Sequence, residues 1–116
     1  MIRRKGTYPV TLREKMRGGN GSVKVEAFWP PQEELKAKTR LCAKLSLEPG
    51  SSIGYHEHTG EEEVFIITRG KGRLTENGES AIVVPGDSIL TGNGAGHAIE
   101  SIGPEPLEII AVIMCY

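Results

Sequence analysis

Residues Gly50–Gly70 read GSSIGYHEHTGEEEVFIITRG. His56 and His58 stand two apart, and Glu63 follows five residues after the second histidine. Residues i and i+2 of a β-strand project from one face, so the two imidazoles are expected side by side on one wall. The turn Thr59-Gly60-Glu61-Glu62 reverses the chain and brings Glu63 back beside them at the start of the next strand. Two imidazoles and a carboxylate converging on one point form part of a metal site. His97, the remaining histidine, lies downstream in its own strand-like stretch.

Working outward, Glu63–Thr68 is rich in β-formers, and its alternation puts Glu63, Phe65 and Ile67 on one face. Upstream, Arg40–Leu47 reads as a strand with Leu41, Ala43, Leu45 and Leu47 together, ended by the turn Glu48-Pro49-Gly50. Downstream, Lys71–Glu76 and Ser80–Val84 flank Asn77-Gly78, a strong hairpin signal. Ser88–Thr91, His97–Ile102 and Leu107–Tyr116 complete the series, separated by turns rich in glycine and proline. Ser22–Phe28 alternates as well, which makes about nine short strands, the pattern of a β-sandwich or barrel. Thr11–Met16 is compatible with one helical turn. Gln32–Lys38 has acidic residues first and basic residues last, the order that suits a helix dipole. Residues 1–39 are therefore read as an arm, with a strand and a short helical turn, packing on the barrel or on a partner subunit. Residues 40–116 are read as the barrel itself.

These motifs resemble those of the cupin family. The first cupin motif is a glycine, five residues, His-x-His, a gap of three or four, a glutamate, six residues and a glycine; Gly50, His56, His58, Glu63 and Gly70 fulfil it. The second is met by Gly86-Asp87, Gly94 and His97, with Gly92 where proline is usual and Ser101 where asparagine is usual. The run Leu47–Glu79 further resembles small single-domain bacterial cupins of the oxalate-decarboxylase-like group. The resemblance implies an all-β jelly-roll barrel, a double-stranded β-helix, with one divalent transition metal (Mn, Fe, Ni or Zn) held by His56, His58, Glu63 and His97. Glu62 is an alternative to Glu63, since a gap of three is allowed. If the ion is octahedral, two positions remain for a substrate; if it is tetrahedral zinc, the site is filled and structural. Phe65, Ile67, Ile99 and Ser101 share the ligand face and are expected to line the substrate pocket. Arg40, Arg69 and Arg73 are the cations considered for an anionic ligand.

Composition narrows the function classes. The chain has 116 residues, enough for one core, and a formal net charge of −1, which argues against a nucleic-acid surface. No apolar run approaches the ~18 residues of a membrane span, and no signal-like core follows the basic N-terminus, so a cytoplasmic protein is expected. Cys42 and Cys115 fit no zinc motif and read as free thiols. The partners expected are a small-molecule carboxylate and a second copy of the chain, with Ser22–Phe28 pairing across subunits. The function expected is a metalloenzyme acting on a small carboxylate. Dioxygenase, sugar isomerase and non-catalytic binding protein are the alternatives.

Overall fold

The computed structural model describes residues 1–116. Ten strands form: β1 (Val10–Glu14), β2 (Ser22–Ala27), β3 (Thr39–Leu47), β4 (Ser52–Glu57), β5 (Glu61–Arg69), β6 (Gly72–Glu76), β7 (Glu79–Val83), β8 (Ser88–Gly92), β9 (Gly96–Ser101) and β10 (Leu107–Cys115). They make two antiparallel sheets, one in the order β1-β2-β3-β10-β5-β8 and the other β4-β9-β6-β7. This is the all-β, single-domain jelly roll that the cupin resemblance implies. Apolar residues recur at every second position in β3, β5 and β10, so each strand gives one face to the interior. Leu45 and Leu47 from β3, Phe65 and Ile67 from β5, and Leu107 and Ile109 from β10 meet Ile53, Leu74, Val83 and Ile99 of the second sheet in one core cluster. Asn77 and Gly78, at φ 53° and 75°, turn β6 into β7 as a hairpin of this composition requires.

Two expected helical turns are absent. Val10–Glu14 is a strand paired with β2 from Val10↔Glu26 to Glu14↔Ser22, because the open edge of β2 supplies partners for its backbone groups. Only Met16–Gly18 forms a 3-10 turn after it. Gln32–Lys38 forms turns, with a bridge between Pro31 and Leu35. Its ordered charges act only on a helix that exists, and so short a segment has too few apolar residues to fasten one. The expectation that Ser22–Phe28 pairs across subunits is also corrected: β2 is flanked by β1 and β3 of the same chain and has no free edge.

The connection from β1 to β2 is tied to β4. Ser52 donates its N–H to the Asn20 carbonyl, and its Oγ accepts from the Asn20 N–H at 2.8 Å. The backbones approach so closely that a Cβ on Gly54 would lie 2.1 Å from the Arg17 carbonyl oxygen, and one on Gly19 would lie 2.1 Å from that of Ser52. Lys15 and Arg17 both adopt left-handed backbone conformations, at φ 48° and 55°. Such angles in non-glycine residues persist where surrounding contacts enforce them.

Candidate metal centre

β4 and β9 pair antiparallel with one irregularity. Ile53 lies opposite Ile99 and His56 opposite His97, so Gly54 and Tyr55 together face the single residue Ala98. The extra residue resets the alternation of β4. Plain alternation from the buried Ile53 would turn Tyr55 and Glu57 inward and His56 outward. With the bulge, His56 joins Ile53 on the inner face and Tyr55 is exposed. His58 follows the end of β4, held by its own N–H to Ala95 O and by Gly94 N–H to His58 O. His97 sits at the start of β9, and Glu63 comes from β5 of the opposite sheet.

One ligand atom from each of His56, His58, Glu63 and His97 lies within 4.8 Å of all the others. His58 Nε2 and His97 Nε2 are 3.1 Å apart, and Glu63 Oε1 is 3.0 Å from each. The three rings meet edge to face with centroids 4.8–4.9 Å apart. His58, Glu63 and His97 are buried. Despite its two close neighbours, Glu63 Oε1 accepts no hydrogen bond of acceptable geometry. A buried carboxylate oxygen without a donor is costly, and a cation at the centre of the cluster is what would satisfy it. Three imidazoles and a carboxylate suit a divalent transition metal, so the residues present can hold one.

Neighbouring groups fix two of the rings. His56 Nδ1 lies 2.8 Å from the Gly54 carbonyl and donates to it, leaving Nε2 free for the cluster. Burial, the largest influence on His56, lowers its pKa and favours the neutral ring that a metal needs. His58 Nδ1 lies 2.5 Å from Glu61 Oε2, which leaves its Nε2 to the cluster. Arg40 grips the same carboxylate through Nε at 2.8 Å and Nη2 at 2.7 Å. The hydrogen bond from Arg40, the hydrogen bond with His58 and their charges lower the Glu61 pKa to about 2, against the opposing effect of burial. Phe65 stacks on His97, with centroids 4.8 Å apart and planes at 14°.

A cavity of about 60 Å³ opens onto the cluster between Arg13, Met16, Arg17, Arg40, Leu41 and Ile113, with His56, His58 and Glu63 at its floor.

The cupin domain family matches residues 43–113. The chain belongs to the cupin family. It is similar to the oxalate-binding protein of Thermotoga maritima, with 41% identity over 99 residues, covering 85% of this chain and 81% of that protein. An uncharacterised protein of Methanocaldococcus jannaschii is 38% identical over 91 residues, covering 78% of this chain and 71% of that one. The crystal structure of a predicted oxalate decarboxylase from Thermotoga maritima superposes with a TM-score of 0.94 at 36% identity, covering all of both chains.

In this cupin the four residues expected to bind metal come together, whereas the side chain of Glu62 is absent from the group. Phe65, Ile67, Ile99 and Ser101 do lie on the inner faces, but they are buried in the core, and the cavity is bounded by other residues. Ser101 Oγ is buried without a partner. Of the three cations considered, only Arg40 borders the cavity. Arg69 pairs with Glu105 and Glu108, and Arg73 pairs with Glu100. Glu61, placed by the sequence in the turn after His58, is instead the first residue of β5, with most of its side chain enclosed. Arg13 and Arg17 were not singled out in the sequence, because nothing in its periodicity marks them.

No helix is long and apolar enough to cross a membrane.

Proposed function

We propose that this cupin binds a small carboxylate at a divalent transition metal held by His56, His58, Glu63 and His97. The observation that carries the proposal is the convergence of three buried or half-buried imidazoles on a buried Glu63 oxygen that has no hydrogen-bond donor. The metal, when bound, supplies a Lewis acid that a carboxylate can ligate. The chain's own residues do the rest. Gly54 O and Glu61 hold the Nδ1 sides of His56 and His58, so that their Nε2 atoms face the centre. Phe65 walls off one side of His97 and keeps water from it. The 41% identical relative described as an oxalate-binding protein supports a carboxylate as the ligand.

Binding without turnover is the reading the cavity favours. Decarboxylation must place a proton on the carbon that loses carbon dioxide, and the donor has to reach it. Glu61, the nearest extra carboxyl group, is held ionised near neutral pH by Arg40 and His58 and has no proton to give. Decarboxylation is nevertheless the second reading, favoured by the likeness to a predicted oxalate decarboxylase; its proton would come from solvent at the open end of the cavity.

The test begins with elemental analysis of the purified protein. The Mn(II)-loaded protein is then titrated with oxalate, following the metal's paramagnetic resonance and the release of carbon dioxide. A perturbed spectrum without carbon dioxide is the expected result. Carbon dioxide release would move the assignment to the decarboxylase. An unperturbed spectrum with oxalate and with 2-oxo acids would remove the carboxylate reading.

A further inference from the structure

We propose that the strand and 3-10 turn at Val10–Gly18 belong to the binding site, and that Arg13 and Arg17 make it selective for small dianions over monoanions of the same size. The inference rests on the carboxylate reading above and narrows its substrate class. Five of the nine residues bounding the cavity, among them Arg13, Met16 and Arg17, lie outside the 43–113 segment that the family match covers. Arg13, Met16 and Arg17 thus wall one side of the cluster from the N-terminal part of the chain.

Three features support this assignment. First, the arginines are uncommitted. Arg40 is engaged by Glu61 and Arg69 by Glu105 and Glu108, whereas Arg13 and Arg17 make no ion pair. Second, the segment is held in place. The contact of Gly19 and Gly54 with facing backbone, the Asn20–Ser52 hydrogen bonds and the left-handed angles of Lys15 and Arg17 fix its path over the mouth. Met16, between the two arginines' turns of chain, packs on the hydrophobic core and anchors it from below.

Third, charge and size agree on the ligand. Three neutral imidazoles and the Glu63 carboxylate leave a divalent ion with a single net positive charge. A monoanion neutralises it; a dianion leaves a negative charge that Arg13 and Arg17 are positioned to meet. The cavity over the cluster, about 60 Å³, suits a small anion.

The experiment compares oxalate with glycolate, a chelating monoanion of similar size, by calorimetric titration of the Mn(II)-loaded full-length protein. The proteins are the parent, Arg13→Gln/Arg17→Gln and Arg17→Lys. The parent is expected to prefer oxalate. The double variant should lose about tenfold or more in oxalate affinity, change little with glycolate, and keep its metal affinity. Arg17→Lys should retain most of the preference. Should the double variant keep the parent's ratio of oxalate to glycolate affinity, or lose both ligands equally, the selectivity assignment falls while the carboxylate reading stands. A parent protein that binds neither anion removes the carboxylate reading, and this assignment with it.

Discussion

Replacing Glu61 with glutamine tests how far the metal centre depends on a residue that supplies no ligand atom itself but holds the far side of His58. Glutamine keeps the shape but loses the charge that joins Arg40 to His58. In the parent, Glu61 accepts two hydrogen bonds from Arg40 and one from His58. Hydrogen bonds to charged groups contribute about 1.5–3 kcal/mol each when enclosed. Arg40, however, has about half its side chain in water, with an exposure of 47%. Solvent screening therefore reduces the expected stability loss in the metal-free protein to ~1–2 kcal/mol. The effect on metal affinity is separate. A carboxylate on the far nitrogen of a ligand histidine fixes its tautomer and raises its basicity, and its loss weakens metal binding about 10- to 100-fold. Competition with a chelator of known affinity measures this directly, and chemical denaturation of the metal-free proteins measures the stability change. The pH dependence supplies a further check. Glu61 has a folded-state pKa of about 2, depressed below the ordinary value of 4.5. Its stabilisation is thus full above about pH 4.5 and is lost as pH falls towards 2, and the glutamine variant should lack that part of the acid sensitivity. Unchanged metal affinity in Glu61→Gln would refute the argument that this carboxylate positions His58.

Four further outcomes are expected. His56→Ala, His58→Ala, Glu63→Ala and His97→Ala should each abolish or greatly weaken metal binding while Glu62→Ala does not; the reverse for Glu62 and Glu63 would show that the wrong carboxylate has been assigned. Phe65→Ala should destabilise the fold by about 3–5 kcal/mol, since Phe65 is fully enclosed, and weaken metal binding through the freed His97 ring, both readable by thermal denaturation with and without metal. Gly54→Ala forces a methyl group against the Arg17 carbonyl and should cost about 1–3 kcal/mol, with oxalate affinity falling more than metal affinity. A homodimer is expected because Val10 and Leu12 are exposed on the free edge strand β1 and Ile66 and Leu90 on the outside of the larger sheet; sedimentation showing only a 12.6 kDa species at micromolar concentration would exclude it.

The metal centre was readable in the sequence because its ligands obey short-range rules: His56 and His58 are two apart, and a tight turn returns Glu63. The same rules missed the reason His56 points inward. Alternation counted from His56 gives the right neighbours, but only the bulge at Gly54-Tyr55 reconciles it with the buried Ile53. Glu61 was misread because its partner Arg40 is 21 residues away and two strands over, reaching it past the C-terminal end of β10. No local pattern encodes that meeting. The arm was the least legible part. Thr11–Met16 carries charges at spacings a helix tolerates, and only the waiting edge of β2 makes it a strand. Gln32–Lys38 shows the opposite case, in which a favourable charge order had no apolar face to support it.

His56 and His97 belong to the smaller sheet and Glu63 to the larger, so the cluster spans the gap between the two layers. An ion held there acts as a rivet. By thermodynamic reciprocity, whatever the rivet adds to the cohesion of the layers, the cohesion of the layers adds to the grip on the ion. Trimming Leu74 or Val83, side chains that help hold the smaller sheet against the larger, should therefore leak into metal retention without altering a single donor atom. Amide exchange should record the same coupling, with β4 and β9 slowing together with β5 when the ion is added.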